Sequence, residues 1–159
     1  MLLSPLMHLA LESVDQPDII ALIDALDAYQ GALYPPESNY HLSVAELKAS
    51  NVLFSVMRDD DGVALGCGAV VLLYGYGELK RMYVNPAQRG RGIAKNIIAF
   101  LEQEARGRGC TILRLETGIH QAEALGLYER AGYVRRGSYG DYPEDPLSVF
   151  METNLSPLA

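Results

Sequence analysis

Arg89-Gly90-Arg91-Gly92-Ile93-Ala94-Lys95 sets two arginines and two glycines where a β-rich run gives way to a helical one. That combination suits a phosphate. Gly90 and Gly92 let an anionic group approach the main chain with no Cβ in the way, and Arg89 and Arg91 add charge from the side. The first amides of the helix point at one spot, where the macrodipole contributes roughly half a positive charge. A pyrophosphate is the natural guest, although a tight connection with solvated arginines would read the same way in isolation. Two common nucleotide sites are excluded. No Gly-x-x-x-x-Gly-Lys-Ser/Thr occurs, and the three-glycine dinucleotide fingerprint lacks its third glycine.

Arg89 to Ala94 also fits Gln/Arg-x-x-Gly-x-Gly/Ala, with Val84-Asn85-Pro86 just ahead of it. Downstream, Ala124-Leu125-Gly126-Leu127-Tyr128-Glu129-Arg130-Ala131-Gly132-Tyr133 ends in Tyr-x-x-x-Gly-Tyr. With these two elements in this order the chain resembles the GNAT superfamily of N-acetyltransferases. Tyr34 to His41, Leu115 to Gly118, Ser138 to Pro146 and Ser148 to Met151 resemble its small bacterial acetyltransferase subgroup. The resemblance covers residues 50 to 153 well and the first 50 only in element order.

The resemblance implies an α/β fold with a mixed, mostly antiparallel central sheet and flanking helices, and acetyl-CoA as the acetyl-donor cosubstrate. It implies that the strand from Glu78 to Val84 splays from the one at Thr111 to Thr117. Pantetheine would fill the gap against the backbone of Met82, Tyr83 and Val84, with an N–H there as oxyanion donor. The pyrophosphate would meet the amides of Gly90 to Lys95. Gln121 stands where many members have asparagine seven residues before the tyrosine, keeping the amide on a longer arm.

Acetyl transfer to an amine needs a proton acceptor for the amine, a home for the oxyanion and a proton for the departing thiolate. Tyr128 matches the family's general-acid tyrosine, and a phenol of reference pKa about 10 is protonated at neutral pH. Two carboxylates compete for the base. Glu78 is placed by period-two alternation on the same strand face as Lys80, Met82 and Val84. Glu116 lies on the next strand, twelve residues before Tyr128. Both are expected to line one cavity. Two aromatic, acidic loops, Tyr34 to His41 and Ser138 to Pro146, are suited to holding an amine by charge and cation–π contact. The reading is a small primary amine acetylated by direct transfer in a ternary complex. A protein N-terminus or lysine, and a non-catalytic CoA-binding sensor, are the alternatives.

Composition narrows the class further. The 159 residues, 49% apolar and 21% charged, suit one globular domain over residues 1–159. No stretch approaches the roughly 18 apolar residues of a membrane span, and no signal peptide is read, so a cytoplasmic protein with no membrane partner is expected. A net charge of −7 and a pI near 4.9 argue against nucleic acid. Residues 78 to 136 nevertheless hold eleven Lys/Arg against six Asp/Glu, and the rest two against fourteen. The basic part carries the glycine-rich turn; the acidic part could attract a cationic acceptor. Cys67 and Cys110 read as small buried hydrophobes with reduced thiols. His8, His41 and His120 share no ligand spacing with them, so no metal is expected. The family resemblance makes a homodimer a reasonable state.

These residues need a frame. A strand at Met7 to Leu11 precedes a helix started by Asp15, Pro17 and Asp18 and ended by Gly31, and Ser43 caps a short helix to Ser50. Strands at Val52 to Met57 and Val63 to Leu73 flank the Asp59-Asp60-Asp61-Gly62 turn, and Tyr74 to Gly77 reads as a mobile connection. The strand into the glycine-rich turn, a helix with Ile93, Ile97, Leu101 and Ala105 on one face, a strand at Thr111 to Thr117 and a helix at Gln121 to Arg130 follow. Strands at Tyr133 to Gly137 and Leu147 to Thr153 close the chain.

Overall fold

A computed structural model describes residues 7–156. Seven strands form one sheet: β1 Met7–Leu11, β2 Val52–Asp59, β3 Ala64–Leu73, β4 Tyr76–Val84, β5 Ile112–Gly118, β6 Val134–Arg136 and β7 Ser148–Asn154, in the order β1-β2-β3-β4-β5-β7-β6. Every pairing is antiparallel except β4 with β5. Four helices flank it: α1 Pro17–Leu33, α2 Val44–Leu47, α3 Ile93–Gly107 and α4 Ala122–Arg130. This is the expected mixed α/β architecture. No helix among the described residues is long and apolar enough to cross a membrane.

Each face of the sheet carries its own core. On one, Ile19, Leu22 and Ile23 of α1 pack with Phe54, Val56, Cys67 and Ala69. On the other, Ile93, Ile97, Ile98, Leu101 and Ala105 of α3 pack with Leu53, Val70, Leu79, Leu113 and Leu115. These α3 residues recur at the i, i+4 spacing that puts them on one helix face, and burying each large one contributes about 1.5–3 kcal/mol before entropy.

Local chemistry decides several boundaries. Ser43 and Glu46 form a reciprocal capping box that starts α2, which stops at Leu47 rather than Ser50. The first cap of α1 is Gln16, not Asp15, and the helix runs through Gly31 to Leu33. It stops because Tyr34 precedes Pro35 and Pro36, which hold the chain extended and remove two donors. The Tyr74-Gly75 connection is a two-residue hairpin turn between paired Leu73 and Tyr76.

One irregularity shapes the middle of the sheet. Between the pairs Cys67↔Tyr83 and Ala69↔Lys80, two residues of β4, Arg81 and Met82, oppose the single residue Gly68. Arg81 takes a left-handed φ of 58°, a conformation that costs a non-glycine residue on the order of 1 kcal/mol. The extra residue reverses the alternation beyond it. Glu78, Lys80 and Tyr83 therefore share the α1 face, whereas Met82 and Val84 join the α3 core, correcting the expectation that Glu78, Lys80, Met82 and Val84 share one face. Gly68 makes this possible, because the Met82 sulfur occupies the space of its missing Cβ.

The bulge also ends the parallel ladder. β4 and β5 pair only over Gly77↔Leu113, Glu78↔Arg114 and Leu79↔Leu115, and then part. Gly66 is the second close approach: a Cβ there would lie 2.9 Å from the Tyr83 carbonyl oxygen and 3.2 Å from Ile93 Cγ2. Gly66→Ala is expected to lower stability by about 1–3 kcal/mol in urea unfolding, since backbone must move to admit it.

Candidate active site

Two cavities flank the opening between β4 and β5. The larger, about 840 Å³, is walled by the end of β4, the start of α3 and α4. The smaller, about 90 Å³, lies between β4, β5 and the Tyr34 to His41 segment. Met82, Gln121, Ala124 and Tyr128 line both, so the cavities meet at these four side chains.

The larger cavity collects the expected phosphate-binding residues. Met82, Tyr83, Val84, Arg89, Gly90, Gly92, Ile93, Ala94, Lys95 and Gln121 line it. Arg91 does not; its guanidinium donates to Gln88 Oε1 at 2.6 Å. Gly92 caps α3 in the left-handed region at φ 74° and offers no side chain to the amides behind it. The first intrahelical acceptance there is Asn96 N–H to Gly92 C=O, and the first turn carries no acid. The N–H groups of Ile93, Ala94 and Lys95 are thus left without acceptors among the described residues, as in an anion site. The contrast with the capped start of α2 is direct. Together with Lys95, Arg89 and the adjacent Arg130, these amides fit the pyrophosphate end of a coenzyme. Beyond the bulge Tyr83 and Val84 pair with β3 on one side only, leaving the β5 side of Met82 to Val84 open for an amide-bearing ligand.

Tyr128 comes from α4, anchored in the α3 core and only 7% exposed. Burial, and then the nearby Glu116 charge, push its phenol above the usual tyrosine range, so it stays protonated. Its hydroxyl makes no hydrogen bond among the described residues, although it lines both cavities.

Glu116 and Glu78 occupy different environments. Glu116 lines the smaller cavity and accepts a 2.7 Å hydrogen bond from Ser148 on β7. Burial pushes its carboxyl up to about 7, against the opposing effects of the Ser148 hydroxyl and Lys80. Glu78 does not reach the cavity wall. Its Oε2 accepts from Tyr139 at 2.8 Å and Tyr142 at 2.5 Å, with Lys80 Nζ 3.6 Å away. The expectation that both carboxylates line one cavity is therefore corrected: Glu78 is the hub of a tyrosine cluster, and Glu116 faces open space.

The two aromatic loops also divide their tasks. Tyr34, Ser38, Asn39, Tyr40 and His41 line the smaller cavity, but no residue of Ser138 to Pro146 does. The second loop instead holds the first in place. Asp145 Oδ2 accepts from Ser38 at 2.7 Å and Tyr40 at 2.8 Å, and these bonds with the Leu147 amide hold its carboxyl below the usual range. Tyr139 and Tyr142 pack edge-on against Phe150. Cys67 is fully buried and Cys110 half-buried, and both are free thiols outside the cavities. No cluster of metal-ligating residues occurs among the described residues.

Some lining residues carried no sequence signal. His120, stacked on Tyr34 with centroids 5.5 Å apart, and Tyr29 and Leu26 of α1 reach the larger cavity only through the tertiary fold. Arg130 was findable: it stands four residues after Gly126, whose missing Cβ leaves room for its guanidinium.

The acetyltransferase (GNAT) family model matches residues 19–133. An IAA acetyltransferase of Azospirillum brasilense is 43% identical over 153 residues, 95% of this chain and 99% of its own. The crystal structure of a Klebsiella pneumoniae chain classed as an acyl-CoA N-acyltransferase superposes with a TM-score of 0.81 at 42% identity, covering 94% of this chain and 98% of that one. The PaiA N-acetyltransferase of Thermoplasma acidophilum, solved with coenzyme A, shares the fold at a TM-score of 0.72 and 15% identity, covering 93% and 98%.

The Glu116 environment gives a direct test. Its folded pKa lies above the ordinary 4.5, so the folded state holds a proton that the unfolded state releases between about pH 4.5 and 7. Its contribution to stability is present below pH 4.5 and lost as pH rises toward 7. Glu116→Gln is expected to flatten stability over that window, and carboxyl NMR to place the Glu116 midpoint near 7 in the parent. Ser148→Ala should move that midpoint upward, because it removes a donor to the charged form.

Proposed function

The chain belongs to the acetyltransferase (GNAT) family, and from that premise we propose that it acetylates the primary amine of a small molecule by direct transfer in a ternary complex. As an N-acetyltransferase it uses acetyl-CoA. The observation that carries the proposal is the meeting of the two cavities at Tyr128 and Met82, with Glu116 on the wall of the smaller one. The smaller cavity is about 90 Å³ beside Glu116, which favours a small acceptor over a protein segment.

Bound acetyl-CoA supplies an acyl group activated as a thioester. The amides at the start of α3, with Arg89, Lys95 and Arg130, bind its phosphates, and the open edge of β4 orients the remainder. Glu116 accepts the proton of the acceptor amine; a carboxyl near 7 is half ionised at neutral pH and suited to that task. A backbone N–H of Met82 to Val84 donates to the oxyanion. Tyr128 donates its proton at the departing sulfur, and its lack of another hydrogen-bond partner leaves the hydroxyl free to do so. No cysteine lines either cavity, which supports direct transfer over an acetyl-enzyme. Glu78 acts as a positioning residue, fixing Lys80 and the tyrosines that frame the site.

Thiol release from acetyl-CoA across a panel of small amines tests the reading. Glu116→Gln is expected to lower kcat/KM about 10²–10⁴-fold and to abolish a rise in kcat/KM with pH centred near 7. Tyr128→Phe should lower kcat at least about tenfold while acetyl-CoA affinity changes less than about twofold. Acetylation of peptide N-termini or lysines with no small amine accepted would transfer the function to protein substrates.

A further inference from the structure

Arg81 is the least explained charge in the molecule. The residue lies on the wall of the smaller cavity with its side chain 2% exposed, yet among the described residues the cation has a single ion pair, from Nη2 to Asp27 Oδ1 at 2.6 Å. Its Nε and Nη1 are buried with no partner among the described residues. A guanidinium carries five donors, and buried donors without acceptors are unfavourable enough that folds rarely keep them. Neutralising Asp27 does not require it, since that carboxylate is 37% exposed and also has His41 3.7 Å away.

The rest of the cavity sharpens the point. Among the described residues Glu116 is the only acid on its wall, whereas Lys80 and Arg81 are both there. Lys80 is committed, with Nζ donating to the Tyr40 carbonyl oxygen at 2.8 Å and to the Tyr142 hydroxyl, and lying 3.6 Å from Glu78. Of these two cations, it is Arg81 that retains donors without partners among the described residues. The bulge sets it there: its left-handed backbone takes it out of the regular alternation of β4, at the position where the two cavities diverge.

Resting on the acetyltransferase reading above, we propose that the acceptor is an amine that also carries a carboxylate, an amino acid or close relative, and that Arg81 binds this carboxylate while the amine faces Glu116. Arg81 is a specificity-determining residue: it selects among amines and takes no part in proton transfer. The acidic loops, expected to draw a cationic acceptor, spend Asp145 on Ser38 and Tyr40 instead, in keeping with an acceptor that is not simply cationic.

Matched acceptor pairs test this, each an amino acid set against the amine left by removing its carboxyl group. The unmodified protein is expected to favour the carboxylate-bearing member by at least about tenfold in kcat/KM, the scale of one charge-assisted hydrogen bond. Arg81→Gln should bring that ratio to within about threefold of unity, chiefly through KM. Equal use of both members, or preference for the decarboxylated one, by the unmodified protein overturns the assignment and leaves the acetyltransferase reading intact. Absence of thiol release with every member of every pair overturns both. Should Arg81→Gln not fold, Asp27→Asn keeps Arg81 and frees its engaged donor; it is expected to lower KM for carboxylate acceptors at least about threefold, and an unchanged KM counts against the proposal.

Discussion

One inserted residue in β4 governs the geometry of the site. Arg81 and Met82 face Gly68 together, and from that point β4 can no longer follow β5. A regular strand would have continued the parallel ladder and closed the sheet over the space where the two cavities meet. The bulge instead opens the β5 side of Met82 to Val84, turns Met82 into the α3 core and leaves Glu78, Lys80 and Tyr83 on the opposite face. Strain in the left-handed Arg81 is offset by the packing around it, with Met82 against Gly68 and α3 closing over both.

Around this opening the protein distributes charge in two distinct ways. At the larger cavity, backbone amides join the side chains of Arg89, Lys95 and Arg130: an uncapped helix start, a glycine in the left-handed region and no acid in the first turn. Such a site needs little rearrangement to receive an anion. At the smaller cavity the charges are side chains with contrasting fates. Glu78 is saturated by tyrosine hydroxyls, and Glu116 keeps only Ser148 and stands in a half-buried, mostly uncompensated position that raises its pKa to about 7. Two carboxylates on one sheet face thus acquire different chemistry from their neighbours alone.

Much of this was legible in the sequence where local chemistry is strong. The glycine-rich turn, the α3 face of Ile93, Ile97, Leu101 and Ala105, the Ser43 cap and the succession of strands and helices along the chain follow from residue types and spacing. Arg89 to Ala94 and the passage ending at Gly132-Tyr133 carried the family resemblance. The sequence was silent on long-range events. Nothing in Lys80-Arg81-Met82 announces a bulge, because its cause is Gly68 on another strand. The choice between Glu78 and Glu116 turns on Tyr139 and Tyr142, some sixty residues beyond Glu78 in the chain, reaching one carboxylate and not the other. Gly31 was read as a helix stop on local grounds, whereas the two prolines that follow set the end of α1.

In the proposed reading acetyl-CoA lies along the open edge of β4 and ends at the start of α3. An amide-resolved NMR titration with acetyl-CoA tests it most directly. The largest shifts are expected on the amides of Met82 to Val84 and Gly90 to Lys95, with the β1–β2 edge unmoved. Saturable shifts confined to other parts of the sheet, with these two stretches unperturbed, would contradict it.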